Sequence, residues 1–425
     1  MRKGWKILKV GDLAQINPES LGVHTPKDYA FSYIDLSMVD EGNITYPRNK
    51  IIFKNASPRA RRIVKSGDII MSTVRPNLRG FARVEVDTHN LVCSTGFAVL
   101  RCKNEQTSEY LNQYLLSDFV YRQIDELVVG SNYPAINNDD IRNLEVTIPI
   151  DRTEQHKIAT ILRTWDEAIE KTEGLIKANE KRLFLLTNSL IFGHARLGKR
   201  PMHERTQHKW VSSPKDWKLQ QIGDIAVERS ELNTGGATHT VLSCSKHDGF
   251  VRSLEYFKKQ IFSKNLAGYK TIYRGDFGFP SNHVEEGSIG LQNLEDRALV
   301  SPIYIIFTPD KKRVHADFLF RLLKTKTYAH IFRASTSSSV DRRGNLRWKE
   351  FSSIPVCLPD LYEQKEISEF LTEQQSLIEG LYRYKRELQS QKRGLMQKLL
   401  TGAWQVKIDE TLSINKKDKI ACSTT

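Results

Sequence analysis

The two halves of this sequence carry the same short motifs in the same order. Each motif returns 208 to 212 positions further along the chain. The four pairs are GWKILKVGDLA (4–14) with DWKLQQIGDIA (216–226), KSGDII (65–70) with YRGDFGF (273–279), EYLNQYLL (109–116) with DFLFRLLK (317–324), and EQHKI (154–158) with EQKEI (363–367). A nearly constant offset over four ordered matches predicts a tandem duplication, so the same fold is expected twice.

Each half also carries a long heptad pattern of apolar residues, which is typical of a helix that pairs with another helix. About 40 residues of helix would span about 60 Å. The seam positions are Ile158, Leu162, Trp165, Ile169, Leu183, Leu186 and Leu190 in the first copy, and Ile367, Leu371, Ile378, Leu381, Leu388, Leu395 and Leu399 in the second. We expect the two seams to pair with each other; two separate amphipathic helices, each on its own domain, are the alternative.

Polar residues interrupt both seams. Asn179 in the first copy and Lys385 and Lys392 in the second occupy heptad positions that are otherwise apolar. In coiled coils such residues fix the register at a cost in stability. Thr153 is the predicted N-cap of the first helix, and Asp360 or Tyr362 stands near that place in the second.

The rest of each half predicts an α+β domain of about 150 residues. Short β-rich runs such as RIVKSGDIIMSTV and LVCSTGFAVL lie between turn residues, and TSEYLNQYLLSDFVYRQI predicts one helical stretch. With 425 residues the chain is longer than a single core usually supports. The order of the strands within the sheet does not follow from the sequence.

The charge of the chain favours a polyanionic partner. Lys and Arg outnumber Asp and Glu by 64 to 50, giving a net charge of +14. General solubility is the simpler explanation for the same excess. The N-terminus lacks the apolar core of a signal peptide and no apolar run is long enough to cross a membrane, so a cytoplasmic protein without a membrane partner is expected.

The sequence contains no motif for catalysis or metal binding that we recognise. It lacks a phosphate-binding loop, an HExxH pair, a nucleophile elbow and the Asn-Pro-Pro-aromatic segment used against flipped bases. The five cysteines are scattered without the spacing of metal ligands. They are therefore expected to be reduced, non-catalytic thiols.

Two segments carry a family resemblance. NNDDIRNLEVTIPIDRTEQHKIATIL (137–162) and NLRWKEFSSIPVCLPDLYEQKEISEFL (345–371) each join a mixed domain to its long helix. With the repeated Trp-Lys and Gly-Asp motifs, the chain resembles the DNA-specificity subunit of type I restriction-modification systems over nearly its whole length. The resemblance implies two tandem target recognition domains, whose two helices pair as an antiparallel coiled coil.

The resemblance also implies partners. Double-stranded DNA would be read as a split, asymmetric target, one half per recognition domain. Two methyltransferase (modification) subunits and restriction/translocase subunits would carry the chemistry, so this chain would be no enzyme. It would bind no cofactor itself; S-adenosylmethionine, ATP and magnesium would belong to the partner subunits. A duplicated coiled-coil scaffold that binds proteins without reading DNA is the alternative from another class, and an enzyme acting on nucleic acid would need a motif not recognised here.

The predicted boundaries follow from the repeats. They are a first recognition domain at 1–152, a first spacer helix at 153–193, a linker at 194–213, a second recognition domain at 214–361, a second spacer helix at 362–402 and a polar C-terminal tail at 403–425.

The candidate DNA contacts lie in basic and polar loops. Arginine pairs with guanine and asparagine with adenine in the major groove, whereas a basic cluster suits phosphates. The candidates are Arg59, Arg61 and Arg62 in a basic cluster, Arg75, Asn77 and Arg79 in the loop 72–80, Tyr133 before the first Ile-Pro element, Ser281, Asn282 and His283 in the loop 280–290, and Arg342, Arg343 and Asn345 before the second such element. Solvated loops of no special function would have a similar composition.

Overall fold

In the computed structural model the chain forms two compact units, Met1–Gly174 with Arg383–Thr425, and Leu175–Tyr382. The structure describes residues 2–87, 89–128, 134–234, 239–246, 248–282, 284–336 and 345–407. Each unit contains one mixed α/β domain and one part of each long helix. The predicted fold class, two tandem α+β domains each followed by a long helix, is confirmed.

The first domain is built mainly from short strands. Its strands are β1 (Trp5–Lys9), β2 (Ala14–Ile16), β3 (Ala30–Ile34), β4 (Val39–Asp40), β5 (Asn43–Ile44), β6 (Ile51–Ile52), β7 (Ala60–Val64), β8 (Ile69–Ser72), β9 (Phe81–Arg83), β10 (Leu91–Ser94), β11 (Phe97–Cys102) and β12 (Glu145–Pro149). Its helices are α1 (Val10–Leu13), α2 (Glu105–Leu115), α3 (Asp118–Leu127) and α4 (Asn138–Asn143), and the long helix α5 (Arg152–Ile191) follows. Short 3-10 turns occupy Leu36–Met38, Phe53–Asn55 and Pro76–Leu78.

The second domain follows a similar order, with an additional hairpin at its start. Its strands are β13 (Arg205–Gln207), β14 (Ser212–Pro214), β15 (Lys218–Gln221), β16 (Ala226–Arg229), β17 (Leu242–Ser245), β18 (Gly249–Arg252), β19 (Lys270–Tyr273), β20 (Phe277–Pro280), β21 (Gly290–Leu291), β22 (Arg297–Val300), β23 (Tyr304–Pro309) and β24 (Pro355–Leu358). Its helices are α6 (Ile222–Ile225), α7 (Ser253–Tyr256), α8 (Ala316–Leu323), α9 (Lys326–Ser335) and α10 (Trp348–Ser352), and the long helix α11 (Leu361–Leu399) follows. A 3-10 turn lies at Val284–Glu286.

The two domains share one sheet order. The first has the antiparallel sheet β2-β11-β8-β9, and the second has β16-β23-β20-β21, which are the corresponding strands. In both, the strand that carries the repeated Trp-Lys motif or directly follows its tryptophan pairs with the strand before the long helix, β1 with β12 and β15 with β24. The sheets differ at their outer part: β3 pairs in parallel with β10, whereas β17 pairs with β18 and meets β22 only through a parallel bridge. The duplication therefore preserves the scaffold and alters its outer strands.

The repeated Gly-Asp motif holds a tight turn in each sheet. Asp68 is 2% exposed and accepts a hydrogen bond from the Lys65 backbone N–H at 2.8 Å, and Asp276 accepts one from Tyr273 N–H at 2.9 Å. Asp68 also accepts two hydrogen bonds from Arg101, at 2.7 and 2.8 Å, and these raise the pKa of Arg101. The buried aspartate is thus a structural residue that closes the turn between two strands.

In the first unit the long helices pair in antiparallel order. Lys392 Nζ lies 2.5 Å from Asp166 and Lys385 Nζ lies 2.5 Å from Glu173, so residue numbers fall along α11 as they rise along α5. Both lysines had been predicted as polar seam positions, and each has an acidic partner on the facing helix. The antiparallel pairing implied by the family resemblance is confirmed.

In the second unit the same antiparallel order continues. Tyr382 donates to Glu180 at 2.7 Å, and Arg182 donates to Gln374 on the facing helix. Asn179, the third polar seam position, instead donates to the Leu175 carbonyl of its own helix at 2.8 Å. Asn179 therefore makes this bond within its own helix, unlike the two seam lysines.

The predicted seam residues face inward in both helices. Ile158 and Leu162 are 0% exposed in the core of the first unit, and Ile367 and Leu371 are 0% exposed in the core of the second. The remaining predicted seam residues are all buried or half-buried: Trp165, Ile169, Leu183, Leu186, Leu190, Ile378, Leu381, Leu388, Leu395 and Leu399. The first turns of each helix thus belong to the core of one unit, and its last turns belong to the core of the other. The turns between them contact the facing helix.

Two predictions about helix ends are wrong. The helix predicted through TSEYLNQYLLSDFVYRQI is broken into α2 and α3, because Ser117 has an extended backbone and its hydroxyl donates to the Tyr114 carbonyl at 2.5 Å. Thr153 is not the N-cap of α5, which begins at Arg152. Asp151 fills that role, since its carboxylate accepts from Thr153 N–H at 2.8 Å.

The Glu-Gln pair at the start of each long helix is buried. Gln155 accepts from the Thr107 hydroxyl at 2.8 Å and donates to the Pro149 carbonyl at 2.8 Å. Gln364 accepts from His315 N–H at 2.8 Å and donates to the Pro359 carbonyl at 2.9 Å. Each glutamine therefore bonds the helix to its own domain and to the segment just before it.

The glutamates of the same pairs bind arginines. Glu363 is 0% exposed and accepts from Arg196 at 2.9 and 2.5 Å, while Arg196 also donates to Asp216 at 2.7 Å. Glu154 accepts from Arg2 at 2.8 Å, and that arginine is more exposed. Glu363, in the first turn of α11, therefore forms a buried ion pair.

Each domain is completed by residues that follow a long helix. In the first unit, a Cβ added to Gly402 would lie 3.1 Å from the Trp5 ring, and Gly402 has a φ of 71°. In the second, a Cβ added to Gly193 would lie 3.1 Å from Trp217, and Gly193 has a φ of 64°. Both glycines therefore serve a left-handed turn and close contact with a tryptophan.

Two predicted boundaries differ from the structure. The segment predicted as a linker, 194–213, contains strand β13 and most of the hairpin with β14. The polar tail was predicted from residue 403, yet Val406 is 7% exposed within the core of the first unit. Arg196 in the first segment and Val406 in the second bury their side chains, which holds each segment against its unit. Neither residue belongs to a periodic apolar pattern, so the sequence did not indicate its burial.

Candidate nucleic-acid interface

In the first unit, two loops that the sequence placed far apart meet side by side. Val74 forms a β-bridge with Ala135, the Arg75 N–H donates to the Pro134 carbonyl at 2.8 Å, and the Ile136 N–H donates to Thr73 at 2.9 Å. These bonds join the loop 72–80 to the segment that precedes the first Ile-Pro element. Residues from both are therefore available to one ligand.

A third turn joins the same group. The Thr73 N–H donates to the Gly96 carbonyl at 2.8 Å, and the Thr95 N–H donates to the Arg59 carbonyl at 2.8 Å. The turn between β10 and β11 thus links the basic cluster to the loop 72–80. Arg59 and Arg75 both have exposed side chains.

The loop 72–80 has a constrained backbone. Arg75 and Arg79 have φ values of 48° and 54°, on either side of the 3-10 turn Pro76–Leu78. Non-glycine residues adopt this left-handed conformation rarely, and such strain is common where side chains are held for binding. Leu78 at the tip is 63% exposed. Sequence reasoning missed this leucine, although an apolar residue within a short polar loop was a visible signal.

Several predicted contact residues have partners within the protein. Arg79 donates to Asp118 at 2.7 Å and lies 4.9 Å from the Tyr121 ring, so its guanidinium fixes the loop to α3. Arg61 stacks on Phe53 at 4.8 Å. Arg62 donates to the Ser20 hydroxyl at 3.3 Å.

One polar atom in the loop remains without a protein partner. Asn77 Oδ1 is buried and accepts no hydrogen bond from any described residue. An unsatisfied buried acceptor is costly. The side-chain amide of Asn77 is also the group that the sequence predicts to pair with an adenine edge in the major groove.

The second unit repeats the arrangement with different residues. The Leu346 N–H donates to the Ser281 carbonyl at 2.8 Å, and the Ser281 hydroxyl lies 3.4 Å from Asn345 Oδ1. The Ser281 N–H donates to the Ile303 carbonyl at 3.3 Å, so the turn before β23 also takes part. The loop 280–290 therefore meets the segment before the second Ile-Pro element, as in the first unit. Asn282 is half-buried beside it.

Four of the predicted contact residues lie outside the described residues. They are Tyr133, His283, Arg342 and Arg343.

The thiols of the described cysteines have raised pKa values. Burial raises the pKa of Cys102 to about 12 and that of Cys244 to about 12, and it also raises those of Cys93 and Cys357. A protonated thiol is a poor nucleophile and a poor metal ligand. Within the described ranges, no cluster of three or more His, Cys, Asp or Glu side chains is placed to hold a metal ion, and no described helix is long and apolar enough to span a membrane.

Comparison with known families explains the duplication. Residues 2–178 and 214–383 each match the family described as the type I restriction modification DNA specificity domain. Together the two matches cover most of the chain. The chain therefore belongs to this family, as the sequence resemblance had indicated.

Individual relatives are distant. The chain is 27% identical over 177 residues to the HindI specificity subunit of Haemophilus influenzae, which covers 39% of this chain and 36% of the relative. It is 25% identical over 301 residues to the MjaVIII specificity subunit of Methanocaldococcus jannaschii, which covers 65% of this chain and 66% of the relative. In both cases the match spans less than two thirds of the relative's length.

Solved structures show the same fold over nearly the full chain. A chain from a structure concerned with complex assembly and conformational transition of the type I R-M system superposes with a TM-score of 0.63 at 19% identity, covering 95% of this chain and 99% of that chain. The HsdS subunit from Thermoanaerobacter tengcongensis superposes with a TM-score of 0.51 at 21% identity, covering 95% and 98%. At these identities the likeness establishes the fold.

Proposed function

We propose that this chain is the DNA-specificity subunit of a type I restriction-modification complex, and that each recognition domain reads one half of a split, asymmetric double-stranded target. One observation carries the proposal: two domains of one sheet order bring corresponding loops together but fill them with different residues. A duplicated scaffold with unlike loops fits two different half-sites. The net charge of +14 supports binding to a polyanion.

In the proposed function this chain is not an enzyme. Methylation and cleavage would be carried out by two methyltransferase subunits and by restriction/translocase subunits in the cytoplasm, with S-adenosylmethionine, ATP and magnesium bound by those partners. Family membership supports this division of labour.

Domain exchange tests the proposal directly. The chain would be co-expressed with its methyltransferase partner, and methylated adenines would be mapped by sequencing. We expect a split motif, and we expect that replacing residues 1–150 with those of a relative of different specificity changes one half of it. Exchanging residues 214–361 is the matched control and should change only the other half. No split motif, or both halves changing together, would overturn the proposal in favour of a scaffold without sequence recognition.

A single substitution tests the first loop. Arg75→Ala is expected to relax one position within one half of the methylated motif, because a bidentate arginine–guanine contact contributes about 1–3 kcal/mol of discrimination. The measurement is the fraction of each base at every motif position after methylation. Asn282→Ala in the second domain is the counterpart and should relax only the other half. Equal relaxation of both halves by either variant would contradict the assignment.

A further inference from the structure

A basic segment occurs at corresponding places in both recognition domains. The first reads YPRNKIIFK (46–54) and the second reads YFKKQIFSK (256–264), 210 positions later. Both contain three Lys or Arg residues and no acidic residue. A cation stands at the third and ninth positions in each, as Arg48 and Lys54 in the first and as Lys258 and Lys264 in the second. These two positions carry a cation in both copies, although most of the residues between them differ.

The two segments pack on the same part of the scaffold. Ile51 and Phe53 contact the apolar cluster that contains Val92 of β10. Phe262 contacts the apolar cluster that contains Leu299 of β22. Strands β10 and β22 correspond, each pairing with the strand that precedes the Gly-Asp turn. The duplication has therefore preserved the place of the segment as well as its charge.

The shared cations are exposed. The side chains of Arg48, Lys54, Lys258 and Lys264 are exposed, and none of them makes an ion pair or side-chain hydrogen bond with another residue that the structure describes. Lys270, which is nearby in sequence, behaves differently: its Nζ donates to the Tyr304 carbonyl at 2.6 Å, and burial lowers its pKa. The four cations are thus available to an external anion.

We propose that the basic segments 46–54 and 256–264 are matched phosphate-binding elements, one for the backbone of each half-site. The inference rests on the proposed function and deepens it. Two domains that read different base sequences meet only one common feature in their half-sites, which is the phosphate backbone. Phosphate contacts position a protein without carrying sequence information, so they alone can stay the same in both copies. The loops 72–80 and 280–290, which differ, are left to read the bases.

Salt dependence of DNA binding tests the inference on the full chain. Two double variants, Arg48→Ala with Lys54→Ala and Lys258→Ala with Lys264→Ala, would be titrated against a duplex that contains the mapped target and against an unrelated duplex. Each lost phosphate contact should reduce the slope of log affinity against log salt by about 0.9, so each double variant should lose about 1.8. Affinity should fall for both duplexes, and the methylated motif should stay unchanged.

Matched controls separate local contacts from overall charge. Lys177→Ala with Lys181→Ala removes two exposed lysines from α5 and should leave the slope unchanged. Lys258→Arg with Lys264→Arg keeps the charge and should restore the original slope. A split motif together with unchanged slopes in both alanine variants would overturn the inference while leaving the proposed function intact. An equal reduction of the slope in the α5 variant would also overturn the inference. If the unsubstituted chain directed no split methylation motif, both the inference and the proposed function would be overturned.

Discussion

Leu371→Asp is expected to lower the free energy of unfolding by about 4 kcal/mol, because it places an unpaired charge where the side chain is fully buried. Leu371 belongs to the core of the second unit, where the first turns of α11 pack on the mixed domain. The loss combines the leucine contacts with the cost of a carboxylate that has no partner. Urea unfolding followed by far-ultraviolet circular dichroism measures it.

The same helix provides a matched control. Leu377 is 49% exposed in the same unit, so Leu377→Asp should change the free energy of unfolding by no more than about 0.5 kcal/mol. Leu395, which is half-buried, should give an intermediate loss on replacement by aspartate. Equal losses at Leu371 and Leu377 would show that the inward face of α11 is not where the structure places it.

Glu363→Ala is expected to cost about 3 kcal/mol, because it removes both hydrogen bonds that the buried guanidinium of Arg196 donates to the Glu363 carboxylate. The hydrogen bonds that Arg196 donates to Glu363 are also the main reason that the pKa of Arg196 is raised. Asp216 remains as a partner, which places the expected loss at the lower end of the range for a broken buried pair. Urea unfolding would be combined with hydrogen exchange of the amides 364–371.

The first repeat supplies the comparison for this prediction. Glu154→Ala removes the corresponding glutamate, but its partner Arg2 is 27% exposed, so the loss should be only about 1 kcal/mol. Glu363→Gln keeps the shape of the side chain and should cost less than Glu363→Ala. If the two alanine variants lost the same free energy, burial of the ion pair would not be the source of the effect.

The sequence predicted the features that repeat or follow a helical period. The offset of the motifs indicated two copies of one domain, and the heptad positions indicated which face of α5 and α11 is buried. The first signal is read by comparing the two halves of the chain, and the second is local, because a buried helix face imposes its period on the residues. The prediction of Thr153 as the N-cap was wrong for a local reason, because Asp151, two residues earlier, is an equally good capping residue.

The sequence did not predict which loops meet. Val74 and Ala135 form a β-bridge because the fold brings two distant segments together. Such contacts between residues far apart in the sequence cannot be read from local patterns. The same holds for Arg79, which was predicted to contact bases but has Asp118 and Tyr121 as partners. Composition identifies an arginine in a loop, but only the fold shows whether its guanidinium already has a partner.

The contact between Gly402 and Trp5 has a consequence for biosynthesis. The second unit, Leu175–Tyr382, is one unbroken stretch of chain, whereas the first unit needs residues from both ends. Met396, Leu399, Leu400 and Val406 contribute to its core. Domains usually fold in the order in which they emerge during translation. Here the N-terminal domain needs residues that are synthesised after the second unit, so the second domain can complete its core first, and a ribosome that stalls before residue 396 leaves the first recognition domain unfinished.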